Sequence, residues 1–174
     1  SKKNIEILLN SFADAASNTQ LRKWQLVIAG DGEPEYVTRL KHLAECTVPG
    51  RVLFTGWIDG TLKTAALQGA GLFVLPSFQE NFGVAVAEAM SFGVPVVVSE
   101  QVNLAEDIEE VRAGWVVPND RSALSLALSS AMLDEGERVR RGQTGRDLAR
   151  SRFSWPAVST QLANLYQSVA TTPC

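Results

Sequence analysis

Histidine occurs once in the 174 residues, as His42, and cysteine twice, as Cys46 and Cys174. With so few soft ligands the chain shows no metal-ligand cluster, and no bound metal or cofactor is expected. Two isolated cysteines make no disulfide framework, so reduced thiols and a cytoplasmic setting are expected. Positive charge is not in excess: 16 Lys and Arg stand against 19 Asp and Glu, a formal charge of −3. No field of that sign attracts phosphate backbones, and nucleic acid is not expected as a partner. No apolar run reaches the roughly 20 residues that span a bilayer. Nor does a signal-peptide pattern open the chain. What remains is 45% hydrophobic and 20% charged residues, in a length that suits one domain with a real core.

Short β-rich runs alternate with helical patterns. Ile5, Leu8, Leu9 and Phe12 form a helical stripe near the start. "QLVIAG" (25–30), "RVLFTG" (51–56), "GLFVLP" (71–76), "VPVVVS" (94–99) and "GWVVP" (114–118) read as strands. The third and fourth do not alternate, so burial on both faces is expected. Between them helices are expected after Pro34, over 61–68, after Gly83 and around 105–111. From Arg121 the pattern is helical, with breaks near Gly136 and at "FSWP" (153–156). The alternation predicts an α/β fold with a doubly wound parallel sheet covered by helices. Such a series opening on a helix is expected to lack the strand before it.

In an open parallel sheet, ligands gather beyond the carboxyl ends of the strands. Three loops lie there: Gly30-Asp31-Gly32, Gly56-Trp57-Ile58 and Pro76–Gly83. The last leads into a helix whose first N–H groups are unpaired and carry the positive end of the dipole. Gly83 would let a phosphate approach that backbone. Glu80 and Glu88 lie on either side, eight positions apart in "SFQENFGVAVAEAM". Carboxylates repel phosphate but accept from vicinal hydroxyls, so a sugar, a diphosphate and a ribose in a row fit the spacing. Acids in a helix's first turns are also favoured by the dipole alone. The residue pattern leaves both readings open for Glu88 and favours function for Glu80.

The same stretch resembles the E-x7-E signature of retaining glycosyltransferases of family 4, the glycosyl transferases group 1, in their C-terminal donor-binding half. "KKNIEILLNSF" is similar to the family's "KKG-x-x-x-L-L-x-A-F", "LVIAGDGE" to "L-x-I-x-G-x-G", and "RVLFTG" to "V-x-F-x-G". "AGLFVLPS" and "AGWVVP" also fall where the family has counterparts. The resemblance covers nearly the whole chain. It implies a three-layer Rossmann-like domain with a parallel sheet over residues 1–174, one half of a GT-B architecture. The N-terminal acceptor domain, with a further catalytic group, would lie outside it.

By the same resemblance Glu80 would hold donor hexose hydroxyls and Glu88 the ribose. Backbone N–H groups of Phe82, Gly83 and Val84 would face the sugar and diphosphate. Lys3 would neutralise the diphosphate as the nucleotide departs. The backbone near Ile58 would contact the base with Lys63 as neighbour, while Gly30 and Gly32 would shape the adjacent turn. The donor would be a UDP- or GDP-sugar, transferred with retention to a sugar or lipid-linked acceptor. An arginine usually found before the lysine is absent, so 1–174 alone is expected to bind donor weakly and to transfer nothing.

Blander roles suit other residues. His42 should face solvent. Most of Trp24, Trp57, Trp115 and Trp155 should pack, with Trp57 alone having a functional alternative beside the base. The arginines of 138–152 should form a solvated helix face, with weak attraction to anionic membrane as the alternative. Val158, Leu162, Leu165 and Val169 should pack the last helix on the body, with part of its apolar face exposed. Asn103 and Glu106 receive no role. Against a nicotinamide-binding domain, Glu35 stands where the third glycine of that fingerprint belongs. A sugar-nucleotide epimerase of similar architecture would need acid/base groups this chain does not display. A non-catalytic nucleotide-sugar-binding module stays open, since fold does not fix activity.

Overall fold

The computed structural model describes residues 2–170, the side chains of 168–170 excepted. Cys174 and the side chain of Val169 therefore lie outside the described residues. In chain order, α1 (Ile5–Ala16) leads through a short 3-10 turn to β1 (Leu26–Ala29). There follow α2 (Pro34–Thr47), β2 (Val52–Gly56), α3 (Gly60–Gly69), β3 (Phe73–Leu75) and α4 (Val84–Ser91). Then come β4 (Val96–Ser99), α5 (Ala105–Val111) and β5 (Gly114–Val117). The last helices are α6 (Arg121–Leu133), α7 (Glu135–Leu148) and α8 (Trp155–Ala170), with a π-helical segment, Ala149–Phe153, before α8.

All strand pairs are parallel, but they form two sheets: β1-β2 and β3-β4-β5. The parallel pairing is the one expected from sequence; the split into two sheets was not legible there. Leu26 and Gly30 donate to Arg51 and Gly56 on the β2 side, so the peptide groups of Val27 and Ala29 turn the other way. Phe73 donates to Pro95 on the β4 side, which turns the peptide group of Val74 outward. These two outward edges belong to β1 and β3.

The central strand shows why the fold has three layers. Every residue of β4 is buried, as its non-alternating sequence predicts. Val96 and Val98 pack with Val86, Met90 and Ile108 of α4 and α5. Val97 points to the opposite face, with Leu8 and Phe12 of α1 and Leu124 and Leu128 of α6. A third cluster sets Leu9 of α1 against Leu40 and Ala44 of α2 and Ile28 of β1. Helix α1 thus bridges both sheets. β3 was expected to be buried on both faces; it is half-buried throughout, and among the described residues one of its edges has no paired strand.

Of the arginines of 138–152, Arg140, Arg146, Arg150 and Arg152 are exposed, as the expected solvated face requires, while Arg138 and Arg141 are half-buried. Several are also tied to the body. Arg138 donates to the carbonyls of Ala131 and Met132, closing the end of α6, and lies 5.0 Å from the centre of the Trp24 ring. Arg141 donates to Gly114 O and lies 4.4 Å from the Trp115 ring centre. Arg146 donates to Phe92 O at 2.8 Å, and Arg152 pairs with Asp107 and Glu110. Helix α7 comes this close because Gly142 has no side chain: a Cβ there would collide with the carbonyl oxygen of Gly93. The last helix leaves part of its apolar face exposed, as expected, with Val158 half-buried. Leu162, Leu165 and Tyr166 are exposed, and α8 meets the body through the π-helical segment. Trp155 at its start is 86% exposed rather than packed. His42 is exposed, as expected.

Candidate functional site at the carboxyl ends of the strands

Helix α4 starts directly after the loop that leaves β3. Gly83 caps it at φ 80°, a left-handed conformation that a side chain disfavours. A Cβ on Gly83 would also stand 3.2 Å from Val102 Cγ1. Gly83 is buried, and both its backbone angle and the nearness of Val102 disfavour a side chain there. Phe82 and Val84 on either side are exposed. None of the N–H groups of Phe82, Gly83, Val84 and Ala85 meets an acceptor among the described residues. Together they carry the roughly half positive charge of a helix N-terminus, with Phe82, Val84 and Ala85 exposed around buried Gly83.

The loop is fixed from the side of α5. Glu80 N–H donates to Gln101 O, and Asn103 N–H donates to Glu80 O. Asn103 Nδ2 adds a bond to Asn81 O at 2.5 Å. Sequence reasoning left Asn103 without a role, and its only signal was a polar residue between buried Val102 and Leu104.

Each acid has a cationic partner. Glu80 Oε2 pairs with Lys3 Nζ, the carboxylate mostly covered and the lysine half exposed. Lys3 is brought here because Phe78 N–H donates to Lys2 O at 2.9 Å beyond the end of β3. Asn4 then opens α1 with φ 52°, where the resembling motif has glycine. Asparagine tolerates that conformation better than most side chains. Glu88 lies one turn into α4, with Oε1 2.7 Å from Lys63 Nζ of α3. Ion pairs this exposed contribute about 0–1 kcal/mol, so a ligand can share or displace them.

Lys3, Glu80, Phe82, Gly83, Val84, Glu88 and Lys63 are therefore gathered around one helix tip. Ile58 is half-buried in the loop from β2 into α3, the helix that bears Lys63. Its neighbour Trp57 is 75% exposed and does not pack. Gly30 and Gly32 sit past the end of β1. Gly30 N–H bonds Gly56 O at 2.9 Å and Gly32 N–H bonds Asp31 Oδ1 at 2.8 Å. Both complete the turn, and among the described residues no hydrogen bond joins them to the α4 side. Two other clefts lie elsewhere. One is lined by Lys41, Val48 and Phe54, the other by Glu109, Arg112, Trp115 and Arg141. Neither combines a free helix tip with converging carboxylates.

This arrangement offers N–H donors for an anion, carboxylate acceptors for hydroxyls on both flanks, and ammonium groups to offset negative charge. Among the described residues no helix is long and apolar enough to cross a membrane.

The sequence profile of the family described as glycosyl transferases group 1 matches residues 1–148. A D-inositol 3-phosphate glycosyltransferase of Corynebacterium efficiens is 30% identical over 176 aligned residues, 99% of this chain and 41% of that protein. Sucrose-phosphate synthase from Thermosynechococcus elongatus superposes with a TM-score of 0.82 at 29% identity, over 97% of this chain and 42% of that one. HepE of Anabaena, solved in complex with UDP-glucose, has the same fold, with a TM-score of 0.82 at 23% identity over 96% of this chain and 46% of that one. The chain thus spans less than half the length of each of these proteins. With the profile covering most of its residues, and the parallel α/β fold shared with solved relatives, this chain belongs to the glycosyl transferases group 1 family.

Proposed function

We propose that this chain is the donor-binding half of a retaining glycosyltransferase that moves a hexosyl group from a nucleotide diphosphate sugar to a sugar or lipid-linked acceptor. The observation that carries the reading is the free tip of α4 between Glu80–Lys3 and Glu88–Lys63. A diphosphate fits the N–H groups at residues 82–84, the donor hexose lies towards Glu80, and the ribose lies towards Glu88. The base lies beside Ile58, with Lys63 next to it and the turn of Gly30 and Gly32 adjoining. The complex of HepE with UDP-glucose supports a UDP-sugar as the first donor to test.

In the transfer, the bond from the anomeric carbon to the diphosphate oxygen breaks. A bond to the acceptor oxygen forms on the same face, and the acceptor proton passes to the departing diphosphate. Lys3 offsets the charge that builds on that leaving group, an effect largest where water is excluded. No metal is needed in this scheme.

The open shelf at the α4 tip needs a second wall, and we assign it to an N-terminal acceptor domain in the whole protein. The edges of β1 and β3 support a further strand in that protein. Val27 and Ala29 of β1 and Val74 of β3 turn their peptide groups away from the strands they pair with, and α1 packs on both sheets. Beyond the end of β3, Lys2 O already accepts from Phe78. One parallel strand would satisfy both edges and close the sheet.

The test is calorimetry of the whole protein against a panel of UDP- and GDP-sugars. At least one should bind, and Glu88→Ala should weaken that donor about tenfold or more, the loss of roughly 1.4 kcal/mol expected for hydrogen bonds to a charged acceptor. A folded protein that binds none of the panel, or a Glu88→Ala variant that binds as well as the parent, contradicts the reading.

A further inference from the structure

Beneath Lys3 lies a polar network that the donor-site residues do not include. Asn4 is buried, and its Nδ2 donates to Asn119 Oδ1 at 2.7 Å. Asn119, two residues past the end of β5, donates from its own Nδ2 to Ser77 O at 3.2 Å. Ser77 O also accepts from Ser99 Oγ at 2.5 Å, and both serines are fully buried. The carbonyl of Ser77 fixes which end of the Asn119 amide faces it, and hence which end receives Asn4. One chain of amides and hydroxyls thus ties the ends of β3, β4 and β5 to the residue that follows Lys3. On the other side of Lys3, the carbonyl of Lys2 is held by Phe78 N–H. The lysine backbone is therefore fixed at both neighbours, and its flexible stem starts from a set point beside Glu80.

We infer that Asn119, acting through Asn4, is a positioning residue that aims Lys3 at the diphosphate of the donor; the inference rests on the reading of Lys3 given above. A lysine of free backbone could pair with Glu80 from many directions, whereas a clamped one presents its ammonium at one place on the α4 tip. Loss of the clamp should therefore weaken contacts to the diphosphate and leave contacts to the nucleoside unchanged. Mere loss of stability would not discriminate between the two.

The experiment measures affinities of UDP, GDP, uridine and guanosine in the whole protein by calorimetry. The variants are Lys3→Met, Asn119→Ala, Asn4→Gly and Lys3→Met combined with Asn119→Ala. Lys3→Met should weaken the diphosphate about tenfold, and Asn119→Ala and Asn4→Gly each by about three- to tenfold, with nucleoside affinity unchanged. The double variant should bind no more weakly than Lys3→Met alone, because Asn119 acts through that lysine. Asn4→Gly suits the left-handed backbone and carries the test if Asn119→Ala does not fold. Additive losses overturn the clamp, as does an equal loss for nucleoside and diphosphate. So does a Lys3→Met effect without any effect of Asn119→Ala or Asn4→Gly. A parent protein that binds neither diphosphate, or a Lys3→Met variant with unchanged affinity, overturns the donor-site reading of Lys3 and the clamp with it.

Discussion

Gly83 at φ 80° and Asn4 at φ 52° both hold left-handed backbone beside the α4 tip. They pay for sharp turns that bring a helix tip and a lysine to the same place. Gly83→Ala should cost about 1–2 kcal/mol, since the methyl group meets both an unfavourable angle and Val102. Urea denaturation of parent and variant measures this; an unchanged midpoint would mean the turn relaxes freely. The sequence shows Gly83 plainly, but not that its backbone is left-handed or that Val102, nineteen residues later, would crowd a side chain there. Asn103 was illegible for a similar reason: its amide matters because Asn81 O lies opposite, and that proximity is tertiary.

At the scale of elements, caps and ion pairs set where helices stop and how they dock. Asp134 ends α6 and accepts from Glu137 N–H at 2.8 Å to start α7, so the break expected near Gly136 falls two residues earlier. Asp120 caps α6 in the same way through Ala123 N–H. Asp120→Ala should cost about 1 kcal/mol of stability in thermal unfolding, and no measurable loss would deny the cap its role. Within α7, Arg140 and Arg141 hydrogen-bond the carboxylate of Glu137 and lower its pKa from an ordinary 4.5 to about 2. A depressed carboxylate pKa stabilises the fold above the unfolded value, and that contribution fades as pH falls from about 4.5 to about 2. Glu137→Gln lacks it. The stability gap between parent and variant should be constant above that window and close within it, in denaturation series at low salt. A gap that does not change with pH would rule the ion pair out as its cause. Arg140 is exposed and Glu137 only half-buried, so added salt should shrink the gap.

Across the whole molecule, α1 packs against both sheets, and Lys63 of α3 pairs with Glu88 of α4. The order β3-β4-β5 and the separate β1-β2 pair leave one edge of β1 and one of β3 without a paired strand among the described residues. A strand contributed by the whole protein would protect the amides of Val27, Ala29 and Val74. Hydrogen exchange should find these amides fast in a chain limited to residues 1–174 and slow in the whole protein. Equal exchange in both would show that no further strand pairs with these edges. The exposed apolar residues of α8, Leu162, Leu165 and Tyr166, are a second surface at this scale. Their spacing is visible in the sequence, but whether the body covers them was not, because coverage depends on where the helix is aimed.

Composition and period were sufficient for the α/β class, the five strands, most helix positions and the two acids around a helix start. Those features are local: hydrophobic spacing and turn residues act over a few positions, and the chain carries them wherever it goes. Burial of β3, the anchoring of the α7 arginines, the split of the sheet and the Asn4–Asn119 clamp were decided by tertiary structure. Each joins groups distant in sequence, and their hydrogen bonds exist only after packing against β4 has brought the strand ends together.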